Sequence, residues 1–117
     1  MNKITIVNLR RTAKVDFKCD RSSPLGNPFK MIEPSQRNAV CDWYQDYFKK
    51  SFTAQGNSRW GFFELLVEIE AEARERDITL GCWCAPLRCH CETIKKHIED
   101  RINGHSNFQG NSSETLR

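Results

Sequence analysis

The sequence predicts a small three-layer α/β domain, with a mixed sheet of about three strands and three helices. Three observations lead there. Short β-branched runs stand at both ends of the body, Ile4-Thr5-Ile6-Val7 early and Ile78-Thr79-Leu80 late. Two long amphipathic stretches lie between them. A first strand joined through helices to a later buried strand calls for a βαβ crossover, and ligands of such sheets gather at the carboxyl ends of the strands.

Each element has its own signal. Ile4, Ile6, Val7 and Leu9 make a first strand, and a polar link, Arg10 to Lys14, follows. Val15, Phe17 and Cys19 then alternate with Asp16, Lys18 and Asp20, the period of a half-buried second strand. Asp20 to Phe29 is dense in Ser, Pro, Gly and Asn and reads as a loop stiffened by Pro24 and Pro28. Pro34-Ser35 opens the first helix, where Val40, Trp43, Tyr44, Tyr47 and Phe48 form a core-facing stripe. After a break at Gln55 to Ser58, a second helix sets Phe62, Leu66, Ile69 and Ala73 opposite Glu64, Glu68, Glu72 and Glu75. Those carboxylates have the spacing of a solvated face rather than of catalytic pairs. Asp77 closes that helix, and Ile78 to Ala85 reads as a buried strand stopped by Pro86, with Trp83 in the core. A third helix begins near Cys89 and runs through Ile94, Ile98 and Ile102 to Gly104. Residues 1–104 thus form one domain, and the Ser-, Asn- and Gln-rich stretch 105–117 is expected to be a disordered tail.

Composition narrows the class. A chain of 117 residues with three Trp, seven Phe and two Tyr has enough apolar matter for one modest core. No run approaches the roughly 20 apolar residues of a membrane span. The N-terminus lacks a secretory pattern, so the expected setting is cytoplasmic and the six cysteines are expected as thiols or ligands. The net charge of +3 is uneven: residues 1–60 carry eleven Lys and Arg against five Asp and Glu, and residues 61–117 carry seven against ten. The basic half suits an anionic partner, while the total falls short of a dedicated nucleic-acid binder.

The densest chemistry lies in Cys82-Trp83-Cys84-Ala85-Pro86-Leu87-Arg88-Cys89-His90-Cys91. Cys82, Cys84, Cys89, His90 and Cys91 suffice chemically for zinc, although their spacing is not that of a two-residue knuckle. A dithiol pair is disfavoured, because one or four residues intervene instead of two. Cys82 and Cys84 share a strand face and suit core packing. Cys89, at a helix start, is the candidate thiolate, and His90 the candidate acid–base group. Amides of Cys89, His90 and Cys91 would offer an anion site at that helix start, with Arg21, Arg37 or Arg88 as charged partners.

Gly26-Asn27-Pro28-Phe29 and Gly81-Cys82-Trp83-Cys84-Ala85-Pro86, followed by Cys89-His90, resemble the Asn-Pro-Phe and Cys-Trp-Cys motifs of domain of unknown function 4326. The resemblance spans the chain from the first strand to the third helix. Arg21, Ser23, Arg37 and Tyr44 also resemble positions of that pattern, and Cys91 stands where the family usually has glycine. The resemblance supplies no activity. It implies that the Arg21 loop and the Cys89 elbow form one functional unit, and it suits a phage or mobile-element accessory protein.

The leading expectation is a polar pocket for an anionic ligand of nucleotide or nucleic-acid type. Arg21, Ser23, Asn27, Arg37 and Arg88 would bind the ligand, Cys89 and His90 would carry any catalysis, and no cofactor is required. The alternative is a non-catalytic, zinc-stabilised module that binds protein or nucleic acid. A third reading has a protein partner on the aromatic helix face and tail.

Overall fold

The hydrophobic pattern turns into structure in the expected order. A computed structural model describes residues 2–12, 14–54 and 56–104. It runs β1 (Ile4–Asn8), β2 (Phe17–Lys18), a 3-10 turn (Pro34–Gln36), α1 (Arg37–Lys50), α2 (Phe62–Glu75), β3 (Ile78–Cys82) and α3 (Cys91–Ile102). The tail expected at 105–117 lies outside the described residues. No helix among the described residues is long and apolar enough to cross a membrane.

Local chemistry explains the helix starts. Pro34 fits the first turn because its missing N–H would be unpaired there. The Gln36 side chain accepts hydrogen bonds from the Ile32 and Glu33 amides and closes that turn. α2 begins after Gly61, whose φ of +88° is a left-handed conformation that side chains resist.

The small α/β domain is as expected, with three strands and three helices, but the sheet is wholly parallel rather than mixed. β3 is central, with β1 on one side and β2 on the other. β1 and β2 are therefore not hairpin partners. Their connection crosses over β3 and delivers β2 parallel. The crossing point is Gly81, where an added Cβ would lie 2.7 Å from Leu9 Cδ2 and 3.1 Å from Val15 methyls. Leu9 and Val15 thus shield the sheet face turned away from the core, and the third layer is a loop rather than a helix. β2 shrinks to two residues, although Cys19 N–H still donates to Gly81 O at 2.8 Å.

The core lies on the other face. Ile4, Ile78, Leu80 and Cys82 pack against Tyr44 and Phe48 of α1, Phe62, Leu66 and Ile69 of α2, and Ile94 and Ile98 of α3. Burying each large aliphatic or aromatic side chain contributes roughly 2 kcal/mol before the entropy cost. The expected α1 stripe is corrected at one position: Trp43 is 51% exposed and meets the Phe29 ring edge at 5.9 Å, while Cys41 joins the buried line. Aromatic residues at i, i+3 and i+4 cover more of the helix surface than one packed face can take.

His97 on α3 is buried against Phe48 and Phe52, with ring centroids 5.2 Å away in each case. Burial, with the Arg101 charge adding to it, drives its pKa down from 6.5 to about 4. An unfolded chain protonates this residue first. Stability is therefore full above pH 6.5 and falls as the pH drops toward about 4. The loss attributable to His97 is up to about 3 kcal/mol. Urea denaturation at pH 7.5 and pH 5 should show a clear drop for the wild type and a smaller one for His97→Phe.

Candidate functional site

Parallel strands place the segments that follow β2 and β3 at one edge. There the chain leaves a cavity of about 350 Å³. Residues 20–31 after β2, Arg37, Val40 and Cys41 of α1, and residues 82–90 after β3 contribute its walls.

The first wall is a tightly tied loop. Ser23 N–H donates to Asp20 O and Gly26 N–H to Ser23 O, both at 2.9 Å. Gly26 passes so close to the preceding turn that an added Cβ would lie 2.3 Å from Asp20 O and 2.7 Å from Arg21 Cα. Asn27 Oδ1 accepts from Phe29 N–H at 2.9 Å, an Asx turn around Pro28, and its Nδ2 reaches Val40 O. Tyr44, buried in α1, donates its hydroxyl to Leu25 O at 2.8 Å. The Gly-Asn-Pro-Phe segment is thus a brace that locks the loop against α1.

Cations ring the opening in two states. Arg88 is held by Asp42 at 2.8 Å and by Asn38, and Arg37 donates to the Arg88 carbonyl at 3.1 Å. Arg59 holds the carbonyls of Arg21 and Ser23, both at 2.8 Å. By contrast, the Arg21 and Lys30 side chains have no hydrogen-bond or ion-pair partner among the described residues. Phe29 and Trp83 supply aromatic lining.

The floor carries imidazole and sulfur. His90 Nε2 bonds the Cys19 carbonyl, and its ring meets the edge of Tyr44 at 5.0 Å. Burial lowers its pKa, so the ring is neutral at pH 7, with Nε2 as donor and Nδ1 as the acceptor nitrogen. Cys82 and Cys89 have their sulfurs 3.1 Å apart. With Cys91 they form a buried group of three sulfurs within 4.8 Å of one another, a set that could hold a metal ion. Hydrogen bonds from Cys89 first, then Cys91, and from the amides of Cys84 and Ala85 bring the Cys82 thiol far below its ordinary range. The partner thiol Cys89 is pushed up, chiefly by Cys82. The two sulfurs share one hydrogen bond, in which either can be the donor, so Cys82 and Cys89 act as one acid pair.

Among the residues singled out in the sequence, Arg21, Asn27, Arg37, Arg88, Cys89 and His90 line the cavity together with Cys82 and Cys84. Ser23 and Cys91 do not: Ser23 is buried with its Oγ accepting from Leu25 N–H, and Cys91 is fully buried. Cys84 is half-buried on the cavity wall, outside the three-sulfur group. Trp83 is corrected from core to rim. It is 53% exposed, and its indole N–H reaches Asp20 at 3.1 Å. Trp83 falls in phase with Gly81, on the face opposite Leu80 and Cys82, and β3 ends at Cys82. The sequence reading missed Lys30, Arg59 and Cys19. Only Cys19 had a usable signal: its alternation with Phe17 puts it on the core face of β2.

A small parallel α/β domain with a cationic, aromatic-lined cavity over a thiol floor is therefore the class that fold and site define. A family model matches residues 7–100, and the chain belongs to that family, domain of unknown function 4326. Nothing matches among curated proteins or among solved structures.

The Gly26 contact is with backbone atoms that cannot swing aside. Gly26→Ala should cost about 1–3 kcal/mol, measurable by urea denaturation against the wild type.

Proposed function

We propose that the cavity binds a small anionic ligand of the mononucleotide type. The observation that carries this reading is the pair Arg21 and Lys30, cations without a hydrogen-bond or ion-pair partner among the described residues, on a cavity that also presents Arg37, Phe29 and Trp83. Phosphate oxygens would satisfy the cations, and an aromatic base would lie against the rings. About 350 Å³ falls at the lower end of small-molecule sites. Neutral His90 is the group that would accept a proton from a bound ligand. Six free thiols accord with a cytoplasmic setting, and the small single domain with an accessory protein of a phage or mobile element. The thiol cluster supports a second reading, a zinc-stabilised binding module, and the two are compatible in one molecule.

Isothermal titration with nucleoside monophosphates and diphosphates, the parent nucleosides and a short single-stranded oligonucleotide tests this reading. Saturable one-to-one binding of nucleotides and none of nucleosides is expected. Arg21→Ala and Lys30→Ala should each weaken binding by about tenfold without changing the melting temperature. A folded protein that binds none of the nucleotides, or binds them equally well in the double variant, would refute it. A strong preference for the oligonucleotide would replace it with nucleic-acid binding.

A further inference from the structure

We propose that Cys82, Cys89 and Cys91, completed by Cys19, form a buried four-sulfur site for a thiophilic divalent metal of the zinc class. The four residues come from three elements that meet at this point: the end of β2, the end of β3 and the start of α3. All four are buried, between 0% and 4% exposed. The sulfurs of Cys82, Cys89 and Cys91 lie within 4.8 Å of one another. In a tetrahedral zinc–thiolate site, with Zn–S near 2.3 Å, sulfurs are spaced about 3.8 Å apart, so the 3.1 Å pair of Cys82 and Cys89 would open and no pair of the three would close by more than about 1 Å. The Cys19 thiol interacts with that of Cys91 but its sulfur lies outside the three-sulfur group, so it would have to move in as the fourth ligand.

Buried cysteines are usually small core residues with no further role. Two features separate this group from that habit. The first is convergence: β3 and the elbow before α3 bring three sulfurs together where a packed core would interpose carbon. The second is the hydrogen bond shared by the Cys82 and Cys89 sulfurs at 3.1 Å, which already holds two of the proposed ligands together. His90 stands outside the three-sulfur group, and its Nε2 bond to the Cys19 carbonyl positions one of the proposed ligands. Binding would exchange thiol protons for the metal and link both strand ends to α3.

The test uses the full chain, reduced and kept anaerobic, with cobalt(II) as the probe. One equivalent should bind and produce sulfur-to-cobalt charge-transfer absorption in the near ultraviolet with tetrahedral d–d bands in the visible. Zinc(II) should abolish both. Cys19→Ser should lower cobalt affinity at least about tenfold and the charge-transfer intensity by about a quarter, one thiolate of four. Cys84→Ser and Cys41→Ser should leave the spectrum unchanged. Wild-type protein that is folded by circular dichroism yet shows no thiolate charge transfer would overturn the proposal. So would loss of the signal in Cys84→Ser with Cys19→Ser unaffected. Either failure leaves the nucleotide reading standing, because that reading rests on the cations of the cavity.

Discussion

Parallel pairing of β3 with both neighbours is the constraint from which the rest of the structure follows. β1 and β2 run in the same direction as β3, so their carboxyl ends lie at one edge. The loop after β2 and the elbow after β3 are delivered there together. An antiparallel β2 would have sent Cys19, Asp20 and Arg21 to the opposite end. The anchoring bonds are short-range and backbone in character: Cys19 donates to Gly81 O, and its own carbonyl receives His90. One residue thereby links the edge strand, the central strand and the start of α3.

The two motifs divide the labour at that edge. Gly26-Asn27-Pro28-Phe29 is mostly structural: Gly26 permits a backbone contact, Asn27 closes a turn and braces α1, and Asn27 and Phe29 line the cavity. Cys82 to Cys91 is the chemical half. It leaves β3 at a buried sulfur, exposes Trp83 and Cys84 on the cavity wall, and returns two further sulfurs and an imidazole at the start of α3. Cations already paired, such as Arg88 with Asp42, shape the cavity, whereas the Arg21 and Lys30 side chains have no such partner among the described residues. This is why positive charge in the first half of the chain matters by position rather than by sum.

The elements were legible in the residues because periodicity is a local property. The helical faces of Phe62, Leu66, Ile69 and Ala73, and of Ile94 and Ile98, are buried as their spacing requires. The errors fall where a pattern meets a boundary. Trp83 stands one residue past the end of β3, and Trp43 belongs to a stripe too wide for one face. In both cases the side chain is apolar by type, and its burial depends on what the neighbouring element covers.

The sequence by itself determined the order and kind of the elements, the two polar segments that hold the chemistry and the family to which the chain belongs. Those rest on local spacing and on motif identity. Strand direction and order, the loop that replaces a third layer, the pairing of the Cys82 and Cys89 sulfurs and the arrival of Cys19 were decided by tertiary structure alone. The physical reason is separation along the chain. Cys19 and Cys91 lie more than seventy positions apart in sequence, and only the register of β2 on β3 brings them into contact.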